Sequence, residues 1–212
     1  PQCSKWAKDD NRTIKELENN LIEFFTASCI RYNDNPNVVW MDVVNETILT
    51  NGDWFGPKPG NDKWENPWLQ LGLNKSGYPN YIIKAFEIAK QHATNKKLIF
   101  NQNGGMQKEM WDKVKNTILY LKSIGLRVDG IGWQGHLKLG RSTYDFVNDF
   151  ENQIKELSNL IDWAHSNDLE FHITELDYFI KKDENLEIEL KRQYNIYKRI
   201  IELLNDKAKN GV

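Results

Sequence analysis

Two carboxylates set the chemical question. Glu46 closes the apolar run WMDVVNE (Trp40–Glu46), and Glu175 lies in FHITELD (Phe171–Asp177). A polar group at the end of a buried run costs free energy unless it finds a partner. Such groups either meet solvent or are delivered to a place where charge is used. The same ending recurs along the chain: Asn101-Gln102-Asn103 follows Leu98–Phe100, Gln134-Gly135-His136 follows Val128–Trp133, and Asp177 follows Glu175. Two carboxylates about 5–5.5 Å apart across a cleft are the apparatus of retaining glycoside hydrolysis, in which one protonates the leaving oxygen and the other attacks the anomeric carbon. The two tasks need opposite protonation states at one pH. A hydrogen bond from His136 would favour the charged form of Glu175. That makes Glu175 the nucleophile candidate and Glu46 the acid/base candidate, with Asn45 placed to hydrogen-bond a sugar 2-OH.

The elements that must position these residues follow from periodicity. Five helical stripes step by three and four: Ile14 to Ser28, Ile82 to Ala89, Trp111 to Leu121, Phe150 to Ala164, and Leu190, Tyr194, Tyr197, Ile201 and Leu204. Four short apolar runs lie between them: Val38–Val44, Leu98–Phe100, Val128–Trp133 and Phe171–Leu176. Strands alternating with helices predict an α/β fold on a parallel sheet. The carboxyl ends of parallel strands share one face, where ligands bind. Asn45, Glu46, Asn101, Gln134, His136 and Glu175 would all stand there. No linker or change of composition interrupts residues 1–212, which read as one domain. Period-two counting places Asp42 on the face of Glu46, as a buried, hydrogen-bonded acid. Trp40, Trp111 and Trp163 are expected in the core. Trp133 could point into the cleft or behind it.

Composition narrows the function further. Lys plus Arg number 28 and Asp plus Glu 30, which gives no electrostatic reason to expect nucleic acid or an anionic membrane as partner. No apolar run approaches the ~20 residues that span a bilayer. His92, His136, His165 and His172 have no metal-ligand spacing, so neither metal nor cofactor is expected. Cys3 and Cys29 could pair or remain thiols. Three Asn-x-Ser/Thr sequons stand at Asn11, Asn45 and Asn74. The Gly/Pro-rich loop from Asn51 to Trp68 follows Glu46 and carries Trp54, Phe55, Trp64 and Trp68. Aromatic faces suit pyranose C–H faces. Trp54 is the sugar candidate there, and Trp64 and Trp68 are expected to pack the loop.

Three segments carry a resemblance. WMDVVNE resembles the acid/base strand of glycoside hydrolase family 10, the endo-β-1,4-xylanases, which reads W-D-V-V-N-E. GIGWQGHL (Gly130–Leu137) is similar to that family's G-I-G-x-Q-x-H strand, and HITELD (His172–Asp177) to its nucleophile strand I-T-E-L-D. The resemblance implies a (β/α)8 TIM barrel, incomplete in this chain, with about four strands and five helices present. It implies a retaining endo-1,4-β-xylanase with Glu46 as acid/base and Glu175 as nucleophile, and with Asn45, Gln134 and His136 lining the cleaved sugar's site. The opening segment PQCSKW resembles the stretch after the family's third strand, which makes Gln2 a further sugar-binding candidate. The family's N-D-Y-N strand end is replaced by Asn101-Gln102-Asn103-Gly104, so the leaving-group aromatic is absent. A complete barrel of this kind needs ~250 residues or more. The expected partners are therefore xylan and the remaining barrel or appended carbohydrate-binding modules. A polymeric substrate implies a secreted, cell-surface or periplasmic location. A mixed-linkage glucan as substrate, and a non-catalytic glycan-binding fragment, are the competing readings.

Overall fold

The structure, a computed structural model, describes residues 13–56, 66–138 and 146–208. Gln2, Cys3, Asn11 and Trp64 lie outside the described residues. In chain order the elements are α1 (Ile14–Asn33), β1 (Trp40–Asn45), a 3-10 turn (Pro67–Leu71), α2 (Asn80–His92), β2 (Lys97–Asn103), α3 (Lys108–Ser123), β3 (Gly130–His136), α4 (Phe150–Ser166), β4 (Glu170–Asp177) and α5 (Leu186–Ala208). The four strands form one parallel sheet in the order β1-β2-β3-β4. The strands run further than the apolar runs that predicted them. Asn45 pairs with Asn101, Asn103 with Gln134, Gln134 with Glu175 and His136 with Asp177. A parallel ladder pairs backbone groups whatever the side chain. Hydrophobicity therefore marks where a strand is buried, not where it ends.

The sheet is strongly curled. Four strands about 4.8 Å apart would set β1 and β4 ~14 Å from each other in a flat sheet, with side chains standing perpendicular to it. Yet the Trp40 indole N–H donates to the Glu170 carboxylate at 2.9 Å, and the Trp40 ring meets His172 edge-on at 5.1 Å between centroids. First and last strands touch across the concave face. Gly130 leaves room beneath: a Cβ there would stand 2.9 Å from the Glu170 carbonyl oxygen.

Helices α2, α3 and α4 cover the convex face and bury their predicted stripes. Phe86, Met110, Val114, Ile118, Leu157 and Ile161 are fully enclosed. The flanking helices correct the sequence reading. On α1, Leu17 and Leu21 are buried but Ile14 and Phe24 are exposed. On α5 the expected stripe is split: Leu190, Tyr194 and Ile201 are exposed, Tyr197 and Leu204 pack partly buried against the core, and Glu189, Ile196 and Ile200 are the buried residues. Both helices lie at the ends of the sheet, where among the described residues no further layer meets those faces. Trp40, expected in the core, is 51% exposed on the open concave side for the same reason. Trp111 is buried and Trp163 partly buried, as expected. Trp133 is fully buried and donates to the Gly104 carbonyl at 2.8 Å, so it points behind the cleft.

Cys29 is a buried free thiol in contact with the Met41 sulfur, and burial pushes its pKa up to about 11. The Asn74 sequon is structurally committed. Its side-chain oxygen accepts the N–H groups of Ser76 and Tyr78, and its amide nitrogen donates to the Tyr120 hydroxyl at 2.7 Å.

Candidate active site

Two bulges decide which side chains reach the concave face at the strand ends. On β1 the register slips between Asp42 and Val44, so Val43 is the extra residue; on β4 it slips opposite Trp133/Gln134, so Thr174 is extra. A bulge reverses the in/out parity beyond it. Without them, Glu175 would face the helices and Leu176 would take its place inward, beyond an inward-facing Thr174. With them, Asp42 shares its side with Asn45 rather than Glu46. Both accept from the Asn101 amide nitrogen, at 3.2 Å and 3.1 Å. Asp42 is hydrogen-bonded as expected but is exposed, not buried. Even so, the surrounding protein raises its pKa by desolvation, the nearby His172 opposes that, and the Glu175 charge adds to it.

The strand tips form a hydrogen-bonded chain across the sheet. Asn45 Oδ1 accepts from Gln134 at 2.7 Å as well as from Asn101, and the Asn101 oxygen accepts from Thr174 at 2.9 Å. Two donors on one oxygen fix the Asn45 amide, so its NH₂ is what it can offer a ligand. Asn101 and Gln134 are almost wholly buried, and Gln134 Oε1 has no partner among the described residues. His136 lies between two carboxylates, with Nε2 at 3.2 Å from Glu175 and Nδ1 at 2.6 Å from Asp177. As imidazolium it donates to both; as neutral imidazole it donates to one and turns a lone pair to the other. Glu175 is half exposed. Glu46 is half-buried and stands one residue beyond β1, with φ 53°. That left-handed backbone costs a non-glycine residue about 1–3 kcal/mol and recurs at functional sites. Its N–H donates to the Asn101 carbonyl at 3.1 Å.

Thus Asn45, Asn101 and Gln134 form one hydrogen-bonded set, with Glu46 adjoining it in sequence, and His136, Glu175 and Asp177 form a second; the backbone pairing of Gln134 with Glu175 sets the two side by side. Trp54 stands apart. Its indole N–H donates to the Gly77 carbonyl, Tyr78 meets its ring edge-on, and the Lys113 ammonium lies 4.5 Å from the ring centroid. Trp68 packs against the core. Two residues gain roles that side-chain type does not signal. Asp177 reads in sequence only as a polar tip, and its pairing with His136 is a register effect. Gln102 reads as a polar strand tip and part of a departure from a motif, yet it is fully buried. No group of three or more His, Cys, Asp or Glu among the described residues is placed to hold a metal ion, and no described helix is long and apolar enough to cross a membrane.

A curled parallel sheet, helices on its convex side and polar groups gathered at its carboxyl rim define part of a (β/α)8 barrel of the hydrolase type. The model of glycosyl hydrolase family 10 matches residues 1–211, and the chain belongs to that family. It is 33% identical over 174 residues, 80% of its length, to endo-1,4-beta-xylanase A of Thermoanaerobacterium saccharolyticum. It is 32% identical over 174 residues, again 80% of its length, to exoglucanase XynX of Acetivibrio thermocellus. The aligned parts are 12% and 13% of those long relatives. The crystal structure of xylanase 10B from Thermotoga petrophila RKU-1 in complex with xylobiose superposes with a TM-score of 0.73 at 25% identity, covering 95% of this chain and 54% of that one. The chain thus spans about half of a solved xylanase of its family.

Proposed function

We propose that the intact protein is a retaining endo-β-1,4-xylanase acting by double displacement. Glu175 attacks the anomeric carbon to form a glycosyl-enzyme, while Glu46 protonates the leaving oxygen. Glu46 then takes a proton from the water that releases the sugar. The observation that carries this reading is that Gln134, bonded to Asn45, pairs through its backbone with Glu175, whose side chain His136 holds, so that the two carboxylate-bearing strands meet at one rim. His136 holds the Glu175 oxygen by one ring nitrogen and is itself steadied by Asp177 through the other. Asn45, with its oxygen occupied twice, presents its NH₂ to a sugar hydroxyl. Xylan as substrate is supported by the xylanases among its relatives and by the xylobiose held by the Thermotoga petrophila enzyme. Residues outside this chain would complete the barrel and the sugar subsites. A secreted or surface location follows from the size of the polymer.

In the intact protein, Glu46→Ala is expected to lower turnover of xylan by about 10²–10⁴-fold. Aryl xylobiosides with very good leaving groups should be spared, and azide should restore turnover through a glycosyl azide of retained configuration. Equal loss on all substrates with no azide effect would remove the acid/base assignment. A β-glucan is the second reading, favoured by the similarity to an exoglucanase. Comparing kcat/KM on purified xylan and mixed-linkage glucan separates the two, and a preference for glucan overturns the xylan assignment.

A further inference from the structure

The chain just beyond Glu46 is fastened by one buried side chain. Gln102 lies at the end of β2 with no solvent exposure. Its Oε1 accepts the backbone N–H groups of Thr47 at 3.1 Å and Ile48 at 3.3 Å. Its Nε2 donates to the Ile48 carbonyl at 2.9 Å and to Asn103 Oδ1 at 2.9 Å. On the other side, the Glu46 N–H is held by the carbonyl of Asn101. Two consecutive residues of β2 therefore grip the backbone before and after a glutamate whose φ is 53°. β1 ends at Asn45, so the N–H groups of residues 47 and 48 have left the strand ladder. An amide side chain, donor and acceptor in one rigid plane, replaces the strand partner they lack.

We propose that Gln102 is a positioning residue for the acid/base carboxylate: by clamping residues 47 and 48 it sets where the Glu46 carboxyl stands relative to the leaving oxygen. This rests on the reading of Glu46 as acid/base. The physical reason is over-determination. A strained backbone persists only where its surroundings hold it, and here the holding group is a side chain that offers both hydrogen-bonding roles at once. An apolar residue of similar size would leave two N–H groups and a carbonyl buried without partners, and the segment would shift to satisfy them. A general acid must lie within hydrogen-bond reach of its target. A displacement of about 1 Å costs on the order of 100-fold.

The test uses the intact protein and the ratio of kcat/KM on xylan to kcat/KM on 2,4-dinitrophenyl β-xylobioside. The second leaving group departs without a proton, and a ratio taken on one sample does not depend on the fraction folded. Gln102→Leu is expected to lower the ratio by about tenfold or more. Gln102→Glu keeps an oxygen for Thr47 and Ile48 but loses the donor to Ile48, and should lower the ratio by less. Equal loss on both substrates in Gln102→Leu overturns the proposal and makes Gln102 a purely structural residue. If that variant does not fold, the ratio in Gln102→Glu decides alike: a fall supports the proposal and an unchanged ratio overturns it. Glu46→Ala is measured alongside. A lowered ratio there with an unchanged one in the Gln102 variants defeats only the positioning role. An unchanged ratio in Glu46→Ala defeats the acid/base reading, and the positioning role with it.

Discussion

At the scale of single residues, the candidate site depends on side chains that hold its other members in place. Asn101 joins Asp42, Asn45 and Thr174, and it sits against Gly132. A Cβ on Gly132 would lie 2.4 Å from the Asn101 oxygen and 3.0 Å from its Cγ. Asn101 is buried and held at both ends of its amide, so it has nowhere to retreat. Gly132→Ala should therefore turn the Asn45 amide and, on the proposed activity of the intact protein, lower kcat/KM on xylan by on the order of 100-fold. Steady-state kinetics on purified variant checks this, and wild-type activity would show that the amide network adjusts without loss. Part of the site could be read directly from sequence: Glu46, Glu175 and His136 are ionisable groups at the ends of apolar runs. The inward turn of Glu175 was not legible, because it depends on an extra residue, Thr174, that hydrophobic alternation does not mark.

At the scale of elements, the ends of β3 and β4 are tied to the start of α5 by an ionic cluster. The Lys138 ammonium reaches Glu184 at 2.8 Å and Glu189 at 2.6 Å, and the Tyr178 hydroxyl donates to Glu189 at 2.6 Å. Lys138 follows His136 by two residues and Tyr178 follows Asp177 by one, so the cluster underpins both members of the His136–Asp177 pair. Hydrogen bonds from Lys138 and then Tyr178 hold the Glu189 carboxyl below its usual value, and Lys138 does the same for Glu184. Burial pulls the Lys138 ammonium down, but its bonds to Glu184 and Glu189 outweigh that and raise it. For carboxylates with a lowered native pKa, the unfolded chain binds more protons in the acid range. Their stabilisation is complete above the unfolded value near 4.3 and is lost as pH falls through the lower native value. Lys138→Met should lower the thermal midpoint at pH 7 and flatten its fall below about pH 4.3. A scan of melting temperature against pH measures both, and an unchanged acid limb would take the cluster out of the account. The periodicity of α2, α3 and α4 was fully legible because each buries its stripe on the sheet. In α5 the outward stripe of Leu190, Tyr194 and Ile201 is as regular as the inward one, so periodicity alone could not choose between them.

At the scale of the molecule, the uncovered faces belong together. The outer edge of β1 borders a cavity of about 250 Å³ lined by Leu21, Phe24, Val43, Val44 and Tyr81, because α1 packs chiefly on α2 and the 3-10 turn. At the other end, α5 exposes its second apolar stripe, and Trp40 stands on the open concave face. Exposed apolar surface on this scale marks an interface, and exposed strand edges invite pairing. Residues 1–212 produced alone are therefore expected to bind a hydrophobic dye strongly and to self-associate at micromolar concentration. A protein carrying the whole barrel should do neither. Sedimentation velocity with dye fluorescence on both decides the matter, and a monodisperse, dye-silent 1–212 chain would count against it.

The sequence by itself determined the alternation of helices and strands, the rim on which the polar tips collect and the pair of carboxylates worth following. These are consequences of side-chain type and local period. Only the tertiary structure decided which tips face one another. Curling of the sheet brought Trp40 to Glu170 and His172, the bulges at Val43 and Thr174 chose the faces of Asn45 and Glu175, and the buried amide of Gln102 reached across from β2 to fasten residues 47 and 48. Each of these is settled by contacts between residues dozens of positions apart. Composition and period describe a residue's own neighbourhood along the chain and carry no term for such partners.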